Sequence, residues 1–140
     1  MKIAIINGPN LNLLGKRETD IYGGDSFESY LKDLQAKYAN VKISYFQSNV
    51  EGELVNEIQR VGFDFSGIIL NPGGYTHTSI AIGDAVAAIT TPVIEVHISN
   101  IFGREEFRKL SHVSAKAKGV ISGLGLKGYE LAVEWLISHK

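Results

Sequence analysis

The chain has 140 residues, 44% hydrophobic and 21% charged, with 14 basic side chains against 15 acidic ones and no cysteine. That length fits one domain, 1–140, and buries roughly 68–70% of the unfolded chain's surface. The balanced charge gives no field for nucleic acid or an anionic membrane, and the lack of cysteine excludes disulfides, thiolate nucleophiles and Cys-based metal sites.

Met1-Lys2-Ile3-Ala4-Ile5-Ile6 lacks the length and cleavage pattern of a signal peptide. The apolar runs fall short of the ~18 residues a membrane span needs, so a cytoplasmic protein is expected.

Lys2–Ile6 reads as a first strand, followed by a long polar loop, Asn7–Gly24. Asp25 opens a helix, with Glu28 three residues on as in a capping box. Phe27, Tyr30, Leu31, Leu34 and Tyr38 give that helix one apolar face. Val41–Phe46 is a second strand and Glu51–Val61 a second helix, with Asn49 as its N-cap and Leu54, Val55, Ile58 and Val61 facing inward. Gly67–Leu70 is a third strand, 71–78 a loop, Ser79–Thr90 a third helix and Pro92–Val96 a fourth strand. Glu105–Ser111 reads as a short helix and Gly119–Ser122 as a fifth strand. Lys127–His139 closes the chain as a helix packing Tyr129, Leu131, Ala132, Trp135 and Leu136.

Strands alternating with helices predict an α/β fold, a parallel sheet covered on both faces. Strands apolar on both sides agree with that. The expected arrangement is single-domain and flavodoxin-like, with strand order 2-1-3-4-5 and a ligand site beyond the carboxyl ends of the strands.

The residues just past each strand are Asn7-Gly8-Pro9-Asn10, Gln47-Ser48-Asn49, Asn71-Pro72-Gly73-Gly74, His97-Ile98-Ser99-Asn100 and Ser122-Gly123. These amides, hydroxyls and an imidazole suit a ligand rich in hydroxyls and carbonyls. They do not suit a divalent metal, which wants clustered carboxylates. Each also reads as an ordinary strand terminator or helix cap; their clustering on one edge favours a site.

The first loop carries Arg17 and Tyr22. A guanidinium beside a phenol favours the phenolate and makes a usable base; the alternative is a surface tyrosine next to a solvated charge run. Glu95 and His97 are two residues apart on a strand and emerge on one face. A carboxylate there favours the protonated ring and fixes its orientation, as a general acid needs; a structural histidine stays open. His77 sits in a Pro- and Gly-shaped loop that can approach a ligand. Asp84 lies in the apolar third helix and needs a partner, within the chain, across a subunit interface or on a ligand. Arg108 reads as an anion binder or as a helix-surface ion pair. His112 and His139 read as surface residues.

Gly123-Leu124-Gly125-Leu126-Lys127-Gly128 matches G-x-G-x-x-G, but no strand and ribose-binding acid follow it. It reads instead as a tight turn with close helix–sheet packing.

Taken together, six blocks resemble the type II 3-dehydroquinate dehydratases along essentially the whole chain. They are 6–15, Arg17-Glu18 with Tyr22-Gly23, Gln47-Ser48-Asn49 with Glu51-Gly52, Asn71-Pro72-Gly73 with 75–79, Glu95-Val96-His97 with Ser99-Asn100, and Arg104-Glu105 with Phe107-Arg108. The resemblance implies a cofactor-free and metal-free lyase of the shikimate pathway that converts 3-dehydroquinate to 3-dehydroshikimate through an enolate. It implies that Tyr22 is the base, held as phenolate by Arg17, and His97 the acid. Asn10 would hold the water that stabilises the enolate. Asn71, His77 and Arg108 would bind ring hydroxyls, and the backbone amides of Ile98 and Ser99 the substrate carboxylate. Asp84 would reach a neighbouring subunit's site in a trimer, with four trimers forming a homododecamer. Thr19, Gly74 and Lys109-Leu110 depart from proline, alanine and a His pair common in relatives; the first concerns the rigidity of the Tyr22 loop. The competing reading is a non-catalytic flavodoxin-like module for a small anion or nucleotide.

Overall fold

The computed structural model describes residues 1–16 and 26–140. Five strands, β1 (Lys2–Asn7), β2 (Lys42–Gln47), β3 (Gly67–Asn71), β4 (Val93–His97) and β5 (Gly119–Ser122), form one parallel sheet in the order β2-β1-β3-β4-β5. That is the expected order. Four α-helices, α1 (Phe27–Lys37), α2 (Glu51–Val61), α3 (Ile80–Ala88) and α4 (Lys127–Ser138), cover it.

The two-residue period of the strands sorts the core into two layers. Ile3 and Ile5 of β1, Ile69 of β3, and Ile94 and Val96 of β4 pack with Phe27, Leu31 and Leu34 of α1 and Tyr129, Ala132, Val133 and Leu136 of α4. Ala4, Ile6, Ile68, Leu70 and Val93 pack on the other face with Leu54, Ile58 and Val61 of α2 and Ile82, Ala85 and Val86 of α3. A large aliphatic side chain buried this fully contributes about 1.5–3 kcal/mol. Val133 therefore belongs to the core, whereas Leu131 and Trp135, expected inside, are only half-buried.

Several expected boundaries move for local reasons. Asp25 lies outside the described residues; the N-cap of α1 is Ser26, whose Oγ accepts from the Ser29 amide at 3.2 Å. Asn49 does not cap α2. The N-cap is Val50, its amide donates to Ser48 Oγ at 2.9 Å, and the Ser48 hydroxyl donates in turn to Glu53. Ser79 is the N-cap of α3, accepting from Ile82 N at 2.9 Å. That helix stops at Ala88 because Ile89 is extended, and the amides of Thr90 and Thr91 bond to Gly62 O instead. The β4–β5 crossover carries only short 3-10 turns, Ile101–Gly103 and Glu106–Lys109, where an α-helical segment was expected. The fold is therefore a (βα)5 pattern with one helix lacking among the described residues. No described helix is long and apolar enough to cross a membrane.

Candidate active site

Sheet order decides where the loops meet. The chain runs outward in both directions from β1, so the loops after β1 and β3 lie side by side. In register, Asn7 at the end of β1 sits between Gln47 of β2 and Asn71 of β3. The two loops touch closely: a Cβ on Gly8 would lie 2.4 Å from the Pro72 carbonyl oxygen, which only glycine avoids. Next to this contact, Asn10 adopts the left-handed conformation with φ 71°, which asparagine tolerates better than most residues. Its amide is fixed by Asn49 Oδ1 at 3.0 Å.

A pocket of about 210 Å³ opens at this edge of the sheet. Pro9 and Asn10 line it from the first loop, Asn71, Gly73, Gly74 and His77 from the third, and His97, Ile98, Ser99, Arg104 and Arg108 from the fourth. Gly74 has open space where a Cβ would stand, so an alanine fits there.

Glu95 and His97 form the buried heart of the site, at 0% and 5% exposure. His97 Nε2 lies 2.5 Å from Glu95 Oε2. Since a carboxylate only accepts, Nε2 donates, and Nδ1 is the ring nitrogen left for chemistry. Three hydroxyls hold the carboxylate from outside β4. Thr76 Oγ1 donates to it at 2.7 Å, Ser114 Oγ at 2.6 Å and Ser111 Oγ at 3.5 Å. Burial pushes the Glu95 carboxyl up, but bonds from His97, Ser114 and Thr76 and the His97 charge outweigh it and hold the group below its ordinary value.

The His77 ring stacks near His97, with centroids 6.3 Å apart. Its Nδ1 donates to the Leu110 carbonyl at 2.7 Å, which leaves Nε2 as an acceptor in the neutral ring. Burial pushes the His77 imidazole below its ordinary value; the Leu110 carbonyl opposes this, while His97 and Arg108 add to it. Arg108 Nε donates to Glu105 at 3.0 Å, and its guanidinium lies 4.9 Å from the Phe107 ring centroid. It is thus both the ion-pairing and the pocket-lining residue that the sequence left open.

Asn10, Asn71, His77, His97, Ile98, Ser99 and Arg108 all line one pocket, with Glu95 bonded to His97 behind it. Tyr22 and Arg17 fall outside the described residues. Asp84 does not line this pocket. It stands on the outer side of α3, with its side chain 70% exposed and 3.4 Å from Lys116. His112 is half-buried, against expectation, because its backbone amide donates to Thr76 O. His139 is exposed and stacks on Trp135.

Arg104 was missed as a site residue. It lines the pocket and donates from Nη1 to Ser99 Oγ at 3.3 Å; its place in the loop after β4, beside Glu105, was the available signal. Ser111 and Ser114 were missed because no periodicity marks them. Among the described residues, no group of three or more His, Cys, Asp or Glu side chains is placed to hold a metal ion.

Sheet order, covering helices and a pocket of amides, imidazoles and guanidinium groups at the strand ends define a flavodoxin-like α/β enzyme. The dehydroquinase class II family model matches residues 1–137. A 3-dehydroquinate dehydratase from Fusobacterium nucleatum is 54% identical over 144 residues, covering 99% of this chain and 98% of its own. The crystal structure of the type II dehydroquinase from Butyrivibrio crossotus superposes with a TM-score of 0.93 at 46% identity, covering 98% of this chain and 97% of its own. That of the Propionibacterium acnes type II dehydroquinase gives 0.92 at 41% identity, covering 98% and 96%. The chain belongs to the class II dehydroquinase family.

Proposed function

We propose that this protein dehydrates 3-dehydroquinate to 3-dehydroshikimate, as a single catalytic domain working in the cytoplasm on the shikimate pathway. The observation that carries this reading is the buried Glu95–His97 pair at a pocket rich in hydrogen-bonding groups, in a chain of this family. Removing water beside a ketone needs a base, a stabiliser for the enolate and an acid for the leaving hydroxyl.

In the proposed reaction, the Tyr22 phenolate takes the proton next to the ketone, with Arg17 favouring the ionised phenol. The C–H electron pair becomes the enolate, stabilised by a water on Asn10. The enolate then collapses, the C–O bond breaks, and the hydroxyl leaves as water with a proton from His97 Nδ1. The conjugated enone remains, and proton exchange with solvent resets Tyr22 and His97. Glu95 supports this by stabilising the imidazolium and leaving Nδ1–H for the substrate. Asn71, His77 and Arg108 would take the ring hydroxyls, and the amides of Ile98 and Ser99, with Arg104 beside them, the carboxylate.

The assembly reading is a homododecamer of four trimers, in which Asp84 reaches a neighbour's pocket. Its support is a set of apolar side chains left in water, Ile80 on the same helix as Asp84 and Phe107 and Leu110 near the pocket rim.

The test is the ultraviolet absorbance of the enone on adding 3-dehydroquinate, for wild type and Tyr22→Phe, with and without EDTA. Wild type should turn over with no effect of EDTA, and Tyr22→Phe should be folded and slower by about 10²–10⁴-fold. No absorbance change with folded wild type would sink the lyase and leave the binding-module reading. Full activity in Tyr22→Phe would remove Tyr22 as base.

A further inference from the structure

Beneath the pocket, on the α4 side of the sheet, a phenol joins two strand ends. Tyr129 is fully buried. Its hydroxyl donates to Asn7 Oδ1 at 2.8 Å and accepts from Asn71 Nδ2 at 2.9 Å. Asn71 Oδ1 accepts in turn from Gly73 N at 3.1 Å. Asn7 and Asn71 are register partners on neighbouring strands, so one hydroxyl bridges the two loops that meet at the pocket.

The direction of this chain of bonds is fixed. The Gly73 amide can only donate, so Asn71 must turn its oxygen toward it and its NH2 toward the phenol. The phenol accepts there and has one proton to give, so Asn7 must present its oxygen. Asn7 Nδ2 is then left to face the Tyr45 phenol, on which Asn7 acts as a hydrogen-bond donor. Burial, the largest influence, pushes the Tyr129 phenol well above its ordinary value, so it stays a hydroxyl at all working pH. The helix comes close enough because Gly128, beside Tyr129 in its first turn, carries no side chain. A Cβ on Gly128 would lie 3.3 Å from both Ile121 and Val96, tighter than ordinary contact.

We propose that Tyr129 is a positioning residue for substrate binding: through Asn71 it fixes which face of that carboxamide, and which bend of the Gly73 loop, the substrate meets. The phenol itself does not line the pocket. The proposal rests on the dehydratase reading for its kinetic test, and on Asn71 alone for its spectroscopic one.

Tyr129→Phe keeps the ring and removes only the hydroxyl. KM for 3-dehydroquinate should rise roughly 3- to 10-fold, the cost of freeing one neutral hydrogen bond, while kcat and its pH profile stay as in wild type. In an Asn71→Ala background the same change should add nothing to KM, because both act through one group. An unchanged KM in Tyr129→Phe, or an equal rise with and without Asn71, would overturn the proposal. Should Tyr129→Phe not fold, Asn7→Ser, which weakens the far end of the chain outside the pocket, carries the same expectation and is overturned by an unchanged KM. The Asn71 side-chain NH2 resonances give a readout free of activity. They should be shifted and protected in wild type and collapse toward free-amide positions in Tyr129→Phe. If wild type does not turn over 3-dehydroquinate but these signals move, the substrate assignment fails and the positioning role stands; if they do not move, the role fails.

Discussion

The two ends of the sheet carry cavities of unlike character. At the opposite end from the site, residues of α3, the start of β4, the segment before β5 and the end of α4 line a larger space of about 470 Å³ that includes Thr90, Thr91, Lys116, Lys118 and His139. Polar side chains there bond to backbone carbonyls or pair at the surface, as Lys116 does with Asp84. Thr91 Oγ1 donates to the Val61 and Phe65 carbonyls at 3.2 Å, and His139 Nδ1 lies 2.8 Å from Trp135 O. At the carboxyl end the cavity is smaller, yet Asn7, Asn71 and Glu95 are buried and bonded across elements far apart in the chain, and His97 is buried against Glu95. Volume does not single out the site. Buried amide, carboxylate and imidazole groups bonded side chain to side chain do, because such groups are costly unless each is satisfied.

If the contrast holds, changes at the carboxyl end should cost activity more than stability. His97→Ala should lower kcat by about 10²–10⁴-fold with a smaller change in KM, read by the enone absorbance. A change in KM alone would make His97 a binding residue and weaken the comparison.

Acid should expose the same end next. His77 and Glu95 both lie below their ordinary values of 6.5 and 4.5 in the folded protein, so the unfolded chain binds their protons first. Stability then rises with pH across both windows. On acidification it should fall below about 6.5 through His77, and again below about 4.5 through Glu95. Thermal unfolding over a pH series reads this, and His77→Gln should remove the upper step. A melting temperature that ignores pH in both windows would break the argument.

At the other end the pattern should reverse. Thr91→Val keeps the shape and removes the hydroxyl from two carbonyls, and should cost about 1 kcal/mol in urea unfolding with turnover unchanged. Loss of turnover there would show the two ends to be coupled.

Much of this protein was legible in the sequence, since apolar alternation and helical periodicity report on local geometry. The two covered faces and most element bounds follow from them, and the strand order from the usual arrangement of a five-stranded sheet of this class. Asn10, Asn71, His77 and His97 were legible because strand ends in such a sheet converge. Asn49 misled because Ser48, one residue nearer the strand, took over the amide at the start of α2 while Asn49 turned to Asn10. The β4–β5 segment misled because Arg104, Glu105 and Arg108 suggest a helix surface, whereas they pair around short turns at the pocket rim.

Local spacing by itself determined the alternation of strands and helices, and so the α/β class, and placed His97 beside Glu95, two residues apart on one strand face. Tertiary structure decided what those groups are worth. Thr76 and Ser114 reach Glu95 from 19 residues away on either side, and Tyr129 reaches Asn71 over 58 residues and Asn7 over 122. No periodicity encodes such pairs, because they exist only once the sheet has brought distant strand ends together. A tyrosine on the apolar face of α4 was the one trace in the sequence, since a buried phenol must find a partner for its hydroxyl.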